Sequence, residues 1–81
     1  MTPQMMTKDD ARVFISHNLV RLMAETDIGQ RELSRKSGMD QARISLLCRG
    51  LLLPNPADLA NLAEALGTTT DGLLKQVEVH A

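Results

Sequence analysis

The chain has 81 residues, of which 43% are hydrophobic and 23% are charged, and its net charge at pH 7 is −1. This length accommodates one small domain with a single core. One cysteine cannot form an internal disulfide, and the sequence shows neither a signal peptide nor the roughly 20 apolar residues that span a bilayer. We therefore expect a cytoplasmic protein and exclude the secreted, disulfide-stabilised and membrane-spanning classes.

The residue types available for a core indicate an all-α fold. Phe14 is the only aromatic residue, so the core must consist of Leu, Ile, Val, Met and Ala. Strands favour β-branched and aromatic residues, which are few here. We expect a compact bundle of five short helices.

The first helix is predicted from Lys8 to about Thr26, after a flexible N-terminal tail at residues 1–6. Thr7 is its expected N-cap, and two aspartates in its first turn suit the helix dipole. Apolar residues recur at three- and four-residue steps along this segment. They are Ala11, Phe14 or Ile15, Leu19, Leu22 and Met23.

Two short helices follow, at about 30–37 and 41–49. Gly38 separates them at a position where a positive φ costs least in glycine. Asp40 is the expected N-cap of the third helix, and Gly50 its stop. Leu33, Ile44 and Leu47 are predicted to be buried, and Met39 is expected to lie in the core beside the turn.

The fourth helix has a strong start signal, with Asn55 as N-cap, Pro56 in the first turn and Asp58 at the third helical position. Gly67 ends it. Thr69 or Thr70 is expected to cap a fifth, short helix that carries Leu73 and Leu74. The predicted domain spans residues 7–77, and residues 78–81 form a C-terminal tail.

Charge is distributed unevenly between the centre of the chain and the rest. Residues 28–50 contain five basic and two acidic residues, a net charge of +3, while the remainder carries −4. A small net charge hides such an asymmetry. The distribution favours the central segment as the surface for a polyanion.

No arrangement of side chains indicates an enzyme, a cofactor or a metal site. The sequence contains no nucleophile–base pair, phosphate-binding loop or zinc-ligand spacing. His17 and His80 are far apart and have no acidic or cysteine cluster beside them. Cys48 has no partner cysteine and apolar neighbours, so we interpret it as a core residue.

Four stretches, in order, carry a resemblance to a known family. They are IGQRELSRKSGMDQARIS at 28–45, Arg49–Gly50, Pro54–Asn55 and LAEALGTTTDGLL at 62–74. Together they resemble the lambda-repressor-like, or Xre/Cro-type, helix-turn-helix family over roughly residues 15–75. The resemblance implies a five-helix bundle in which helices 2 and 3 bind DNA.

The resemblance also implies roles for individual residues. Gln30 matches a glutamine that grips a DNA phosphate at the start of helix 2. Gln41 and Ala42 match positions that reach base edges, where Gln pairs with adenine and Ala touches a thymine methyl. Arg31 is also expected to contact DNA, although basic residues on a helix surface are commonly just exposed to solvent. Arg43 and Ser45 match flanking contacts to bases or phosphates, and Arg49 matches a position near the DNA backbone. Leu46 replaces a polar base reader and is expected to pack on a thymine methyl.

Two further departures from the family pattern lead to expectations about contacts. Met23 and Cys48 occupy the positions of a common Arg–Glu ion pair, so we predict that their side chains touch. Leucines at 51, 52 and 53 replace a loop that is usually basic, and an exposed apolar patch often marks a contact with another chain. Leu51, Leu52, Leu53, Leu74 and Val77 are the expected dimer or partner contacts.

The resemblance favours a sequence-specific transcriptional regulator that binds double-stranded DNA and comes from a prokaryote or phage. We expect a repressor that binds a palindromic operator as a homodimer. The alternative is a protein-interaction module on the same fold, such as an antitoxin that binds a partner through the apolar loop.

Overall fold

Residues 5–78 are described by a computed structural model, and within them every regular element is an α-helix. The helices are α1 (Lys8–Thr26), α2 (Gln30–Ser37), α3 (Gln41–Cys48), α4 (Pro56–Ala65) and α5 (Thr70–Leu74). The predicted all-α fold, with its five short helices, is confirmed. The predicted tails lie partly outside the described residues, since 1–4 and 79–81 are not covered; this also applies to His80.

Three helices begin at the predicted capping residues. The Thr7 hydroxyl accepts a hydrogen bond from Asp10 N at 3.0 Å, and Asp10 Oδ2 accepts one from Thr7 N at 3.1 Å. Asn55 Oδ1 caps α4 by accepting from Asp58 N at 2.8 Å, and Thr69 caps α5. These bonds satisfy amide groups that have no partner inside the helix.

The third helix ends one residue before its predicted boundary, at Cys48. The Gly50 amide donates to Leu47 O, and the Leu51 amide donates to Leu46 O at 2.9 Å. This pair of bonds needs a left-handed residue, and Gly50 has φ +73°. Arg49 therefore caps the helix instead of belonging to it.

The core is made of leucine and isoleucine side chains from all five helices. Helix α1 packs against α3 and α5, α2 packs against α3 and α4, and α4 packs against α5. The predicted burial of Leu33, Met39, Ile44 and Leu47 is confirmed. The other large apolar residues that are buried are Ile15, Leu19, Leu62, Leu66 and Leu73.

In the part of the chain that the structure describes, two polar residues, Asn18 and Ser37, are buried, and Asn18 is the more deeply buried of the two. Only 2% of Asn18 is exposed. Its amide nitrogen donates to Leu73 O at 2.9 Å and to Lys75 O at 2.8 Å. A single side chain on α1 therefore satisfies two carbonyl groups at the end of α5.

Candidate nucleic-acid interface

The turn between α2 and α3 is held by glycine and by two serines. Gly38 has φ +77°, and its amide donates to Ser34 O at 2.9 Å. The Ser34 hydroxyl donates to Met39 O, and the Ser37 hydroxyl accepts from Met39 N at 3.3 Å. Because Met39 is itself buried, these bonds fix the direction in which the chain enters α3.

Helix α3 buries one face and exposes its first residues. Ile44 and Leu47 are completely buried, whereas Gln41 and Ala42 are exposed. Asp40 stands at the predicted N-cap position, but its side chain makes no capping hydrogen bond. The N-terminal end of α3 therefore presents small and polar side chains to solvent.

The remaining sequence-predicted contacts on α3 are distributed around this exposed end. Ser45 and Leu46 are half-buried, one turn further along the helix, and Arg49 is exposed at its C-terminal end. Arg49 has no ion pair within residues 5–78. Its charge is free to meet an anion along the outer side of the helix.

The start of α2 provides a second polar surface. Gln30 is its first residue and is half-buried, and its N-cap, Gly29, offers no side chain to the free amide groups. Arg31 and Arg35 are exposed and border the same depression as Gly29, together with the half-buried Glu32, which forms an ion pair with Lys36. A helix N-terminus with free amides and nearby arginines suits an anion.

Arg43 is engaged in an ion pair that the sequence did not predict. Its Nη2 lies 2.8 Å from Asp58 Oδ2 on α4. The side chain of Asp58 is only 16% exposed, compared with 40% for Arg43. Within the described residues, Asp58 Oδ2 accepts no hydrogen bond, so this contact is an ion pair alone. Electrostatic attraction therefore holds this pair.

Behind α3, the predicted contact between the Met23 and Cys48 side chains is confirmed. Cys48 Sγ lies 3.8 Å from Met23 Sδ. The Ser16 hydroxyl donates to Cys48 O at 2.6 Å, which fastens α1 to the end of α3. Burial raises the pKa of the Cys48 thiol. Cys48 and Met23 are therefore joined by a weak hydrogen bond from the thiol to the thioether sulfur.

The apolar loop after α3 is exposed only in part. Leu51 is 57% exposed and Leu53 is 37% exposed, while Leu52 packs against the core. Leu74 also packs against the core, and Val77 is half-buried. The residues of this predicted contact set that offer the most apolar surface are therefore Leu51 and Leu53.

In the part of the chain at 5–78, no three His, Cys, Asp or Glu side chains come together as metal ligands. None of the five helices has the length and apolar character needed to cross a bilayer.

Comparison with known proteins agrees with this geometry. Residues 15–76 match a family described as a helix-turn-helix domain. The chain is 37% identical over 60 residues to an uncharacterized HTH-type transcriptional regulator, y4dJ, of Sinorhizobium fredii, covering 74% of this chain and 78% of that one. It also resembles the crystal structure of a hypothetical transcription factor, NHTF, from Neisseria. That likeness has a TM-score of 0.78 and 23% identity, covers 94% of this chain and 88% of the other, and concerns the fold.

Proposed function

The chain belongs to the helix-turn-helix family, and on this basis we propose that it is a sequence-specific regulator of transcription that binds double-stranded DNA. Its similarity to a protein named as an HTH-type transcriptional regulator supports this assignment. We further propose that it acts in the cytoplasm of a prokaryote, or from a phage gene, as a non-enzymatic repressor that occludes a promoter.

The exposed first turn of α3 is the observation that carries the proposal. Gln41 and Ala42 project into solvent from a helix whose opposite face is completely buried, and the serine-braced turn fixes that helix. A helix presented in this way enters a major groove with its N-terminal residues at the base edges. Gln41 would pair with adenine N6 and N7, and Ala42 would touch a thymine methyl.

The residues around this turn would position the duplex and extend the base contacts. Gln30 and Arg31, at the start of α2, would hold one phosphate, and Arg49 another. Ser45 and Leu46 would meet the groove one turn further along α3, Leu46 through a thymine methyl. Arg43 would act beside Gln41.

A dimer is the assembly that fits a module of this size. One copy would contact few phosphates, so its affinity would be low. A two-fold dimer would place two recognition helices one DNA turn apart, about 34 Å, on a palindromic operator. Leu51, Leu53 and the half-buried Val77 are the proposed contacts between the subunits, whereas Leu52 and Leu74 pack against the core of their own subunit and offer less surface.

A second candidate function is a protein-interaction module, of the antitoxin kind, on the same fold. The exposure of Leu51 and Leu53 favours it, because both lie in one short apolar segment. In that case a partner protein would cover the loop, and the first turn of α3 would have no ligand.

Selection of duplexes from a randomised library tests the DNA-binding proposal. The expected result is an enriched inverted repeat with half-sites separated by about 10 base pairs. Absence of any enriched motif at low salt would count against DNA recognition.

Two substitutions then separate the candidate functions. On a duplex that carries one half-site, Gln41→Ala should weaken binding about tenfold through the lost base contact, whereas Leu51→Asp should leave that affinity unchanged. Gln76→Ala is the matched control, since Gln76 is exposed outside α2 and α3. The interaction-module function predicts the opposite: Leu51→Asp abolishes partner binding and Gln41→Ala has no effect.

A further inference from the structure

The ion pair between α3 and α4 places an acidic side chain beside the candidate interface. Arg43 is the third residue of α3, directly after Gln41 and Ala42, and Asp58 is in the first turn of α4. Resting on the proposed function, we propose that Asp58 is a specificity-determining residue for DNA binding. It holds the Arg43 guanidinium in position and compensates its charge.

The burial of Asp58 indicates that the pair persists when DNA binds. Its Oδ2 atom is inaccessible to solvent and accepts no hydrogen bond within the described residues. If Arg43 moved to a DNA phosphate, a buried carboxylate oxygen would lose the cation with which it pairs in the described part of the chain. Leaving a buried charge without its partner is strongly unfavourable.

A guanidinium held in this way still has donors to offer. The side chain of Arg43 is 40% exposed, and it donates no hydrogen bond to the described part of the chain. Arginine has five N–H donors in a rigid fork, and this fork matches O6 and N7 of guanine. Arg43 would therefore contact a guanine next to the base that Gln41 contacts.

Charge compensation has a second consequence, for nonspecific binding. Attraction to phosphates supplies nearly all of the affinity for random DNA, and each phosphate contact adds about 0.9 to the slope of log K against log salt. Because Asp58 neutralises Arg43, this arginine contributes little to that slope. Asp58 thus lowers the affinity for random DNA, while the N–H donors of Arg43 remain available for a guanine in the specific sequence.

Asp58→Asn removes the charge while keeping the size of the side chain. Freed from its partner, Arg43 should bind the nearest phosphate. Affinity for a random duplex should rise several-fold, and the salt slope should steepen by about 0.9. The ratio of specific to random binding should fall about tenfold, because the contact with guanine is no longer held.

Glu25→Gln is the matched control for the change in net charge. Glu25 forms an exposed ion pair with Arg21 at 3.1 Å. Arg21 Nη2 lies 3.5 Å from Asn18 Oδ1, and the Asn18 amide binds the end of α5, so this pair lies on the α5 side of α1. The control should leave both the salt slope and the binding ratio at wild-type values.

Arg43→Gln provides a test that does not depend on how well Asp58→Asn folds. The proposal predicts a lower ratio of specific to random binding with an unchanged salt slope, since the paired charge meets no phosphate. In the Arg43→Gln background, Asp58→Asn should not steepen the slope, because Asp58 acts through Arg43. A purely structural role of the pair would change neither the slope nor the ratio.

The outcomes distinguish failure of this inference from failure of the proposed function. If wild type prefers its selected motif but Asp58→Asn behaves like Glu25→Gln, or Arg43→Gln lowers the slope by about 0.9, the role of Asp58 is refuted and DNA recognition stands. If wild type binds every duplex equally, the proposed function is refuted and this inference with it.

Discussion

Replacing Asn18 with alanine tests how α5 is held on the bundle. The substitution removes two hydrogen bonds, to Leu73 O and Lys75 O, from a side chain that is 2% exposed. Each bond contributes about 1 kcal/mol, and an orphaned buried carbonyl adds roughly 1–2 kcal/mol. We expect Asn18→Ala to lower the free energy of unfolding by about 3 kcal/mol, a large share of the roughly 4–12 kcal/mol available to a domain of this size.

Urea denaturation followed by far-UV circular dichroism measures this change. Asn61→Ala is the matched control, because Asn61 is exposed on α4 and its amide makes no hydrogen bond within the described residues. The control should stay within about 0.5 kcal/mol of wild type, since surface substitutions are usually neutral. Equal unfolding midpoints for the two variants would refute the assigned role of Asn18.

Three further predictions concern the Met23–Cys48 contact and the glycine turn that support α3. Met23→Arg and Cys48→Glu should each lower the free energy of unfolding by about 1–2 kcal/mol. The double variant should recover most of that loss, because the two new charges would then pair with each other. Additive losses in urea denaturation would contradict this prediction. Burial raises the pKa of the Cys48 thiol, so iodoacetamide at neutral pH should label Cys48 more slowly in the folded protein than in the urea-unfolded protein. Equal labelling rates would contradict this prediction. Gly38→Ala should lower the free energy of unfolding by about 1–2 kcal/mol, because Gly38 has φ +77°. Gly29→Ala should lower it far less, because Gly29 has φ −84°. Equal losses in the two variants would refute the requirement for glycine in the turn between α2 and α3.

The helices could be predicted because their boundaries depend on local signals. Thr7, Asn55 and Thr69 act on amides two or three residues away, so the sequence near each cap contains the information. Apolar spacing likewise indicates which side of each helix is buried. The Met23–Cys48 contact required more, namely the resemblance to a family whose members pair these positions.

Contacts between distant segments could not be predicted in this way. Asn18 and its acceptor Leu73 are 55 residues apart, and nothing near either residue indicates the other. The ion pair of Arg43 and Asp58 depends on how α3 meets α4, and it changes the role of an arginine that otherwise resembles an ordinary DNA contact. Leu52 packs against the core because of the tertiary structure, which the local sequence does not indicate.

The α2–α3 surface, and above all the first turn of α3, is the proposed site of DNA binding. Titration of the 15N-labelled protein with a short duplex at low salt tests it residue by residue. We predict that the largest amide shifts belong to Gln30, Gln41 and Ala42 and that they diminish as salt is added. Shifts centred on Leu51 and Leu53, or no shifts at all, would contradict DNA binding by the α2–α3 surface.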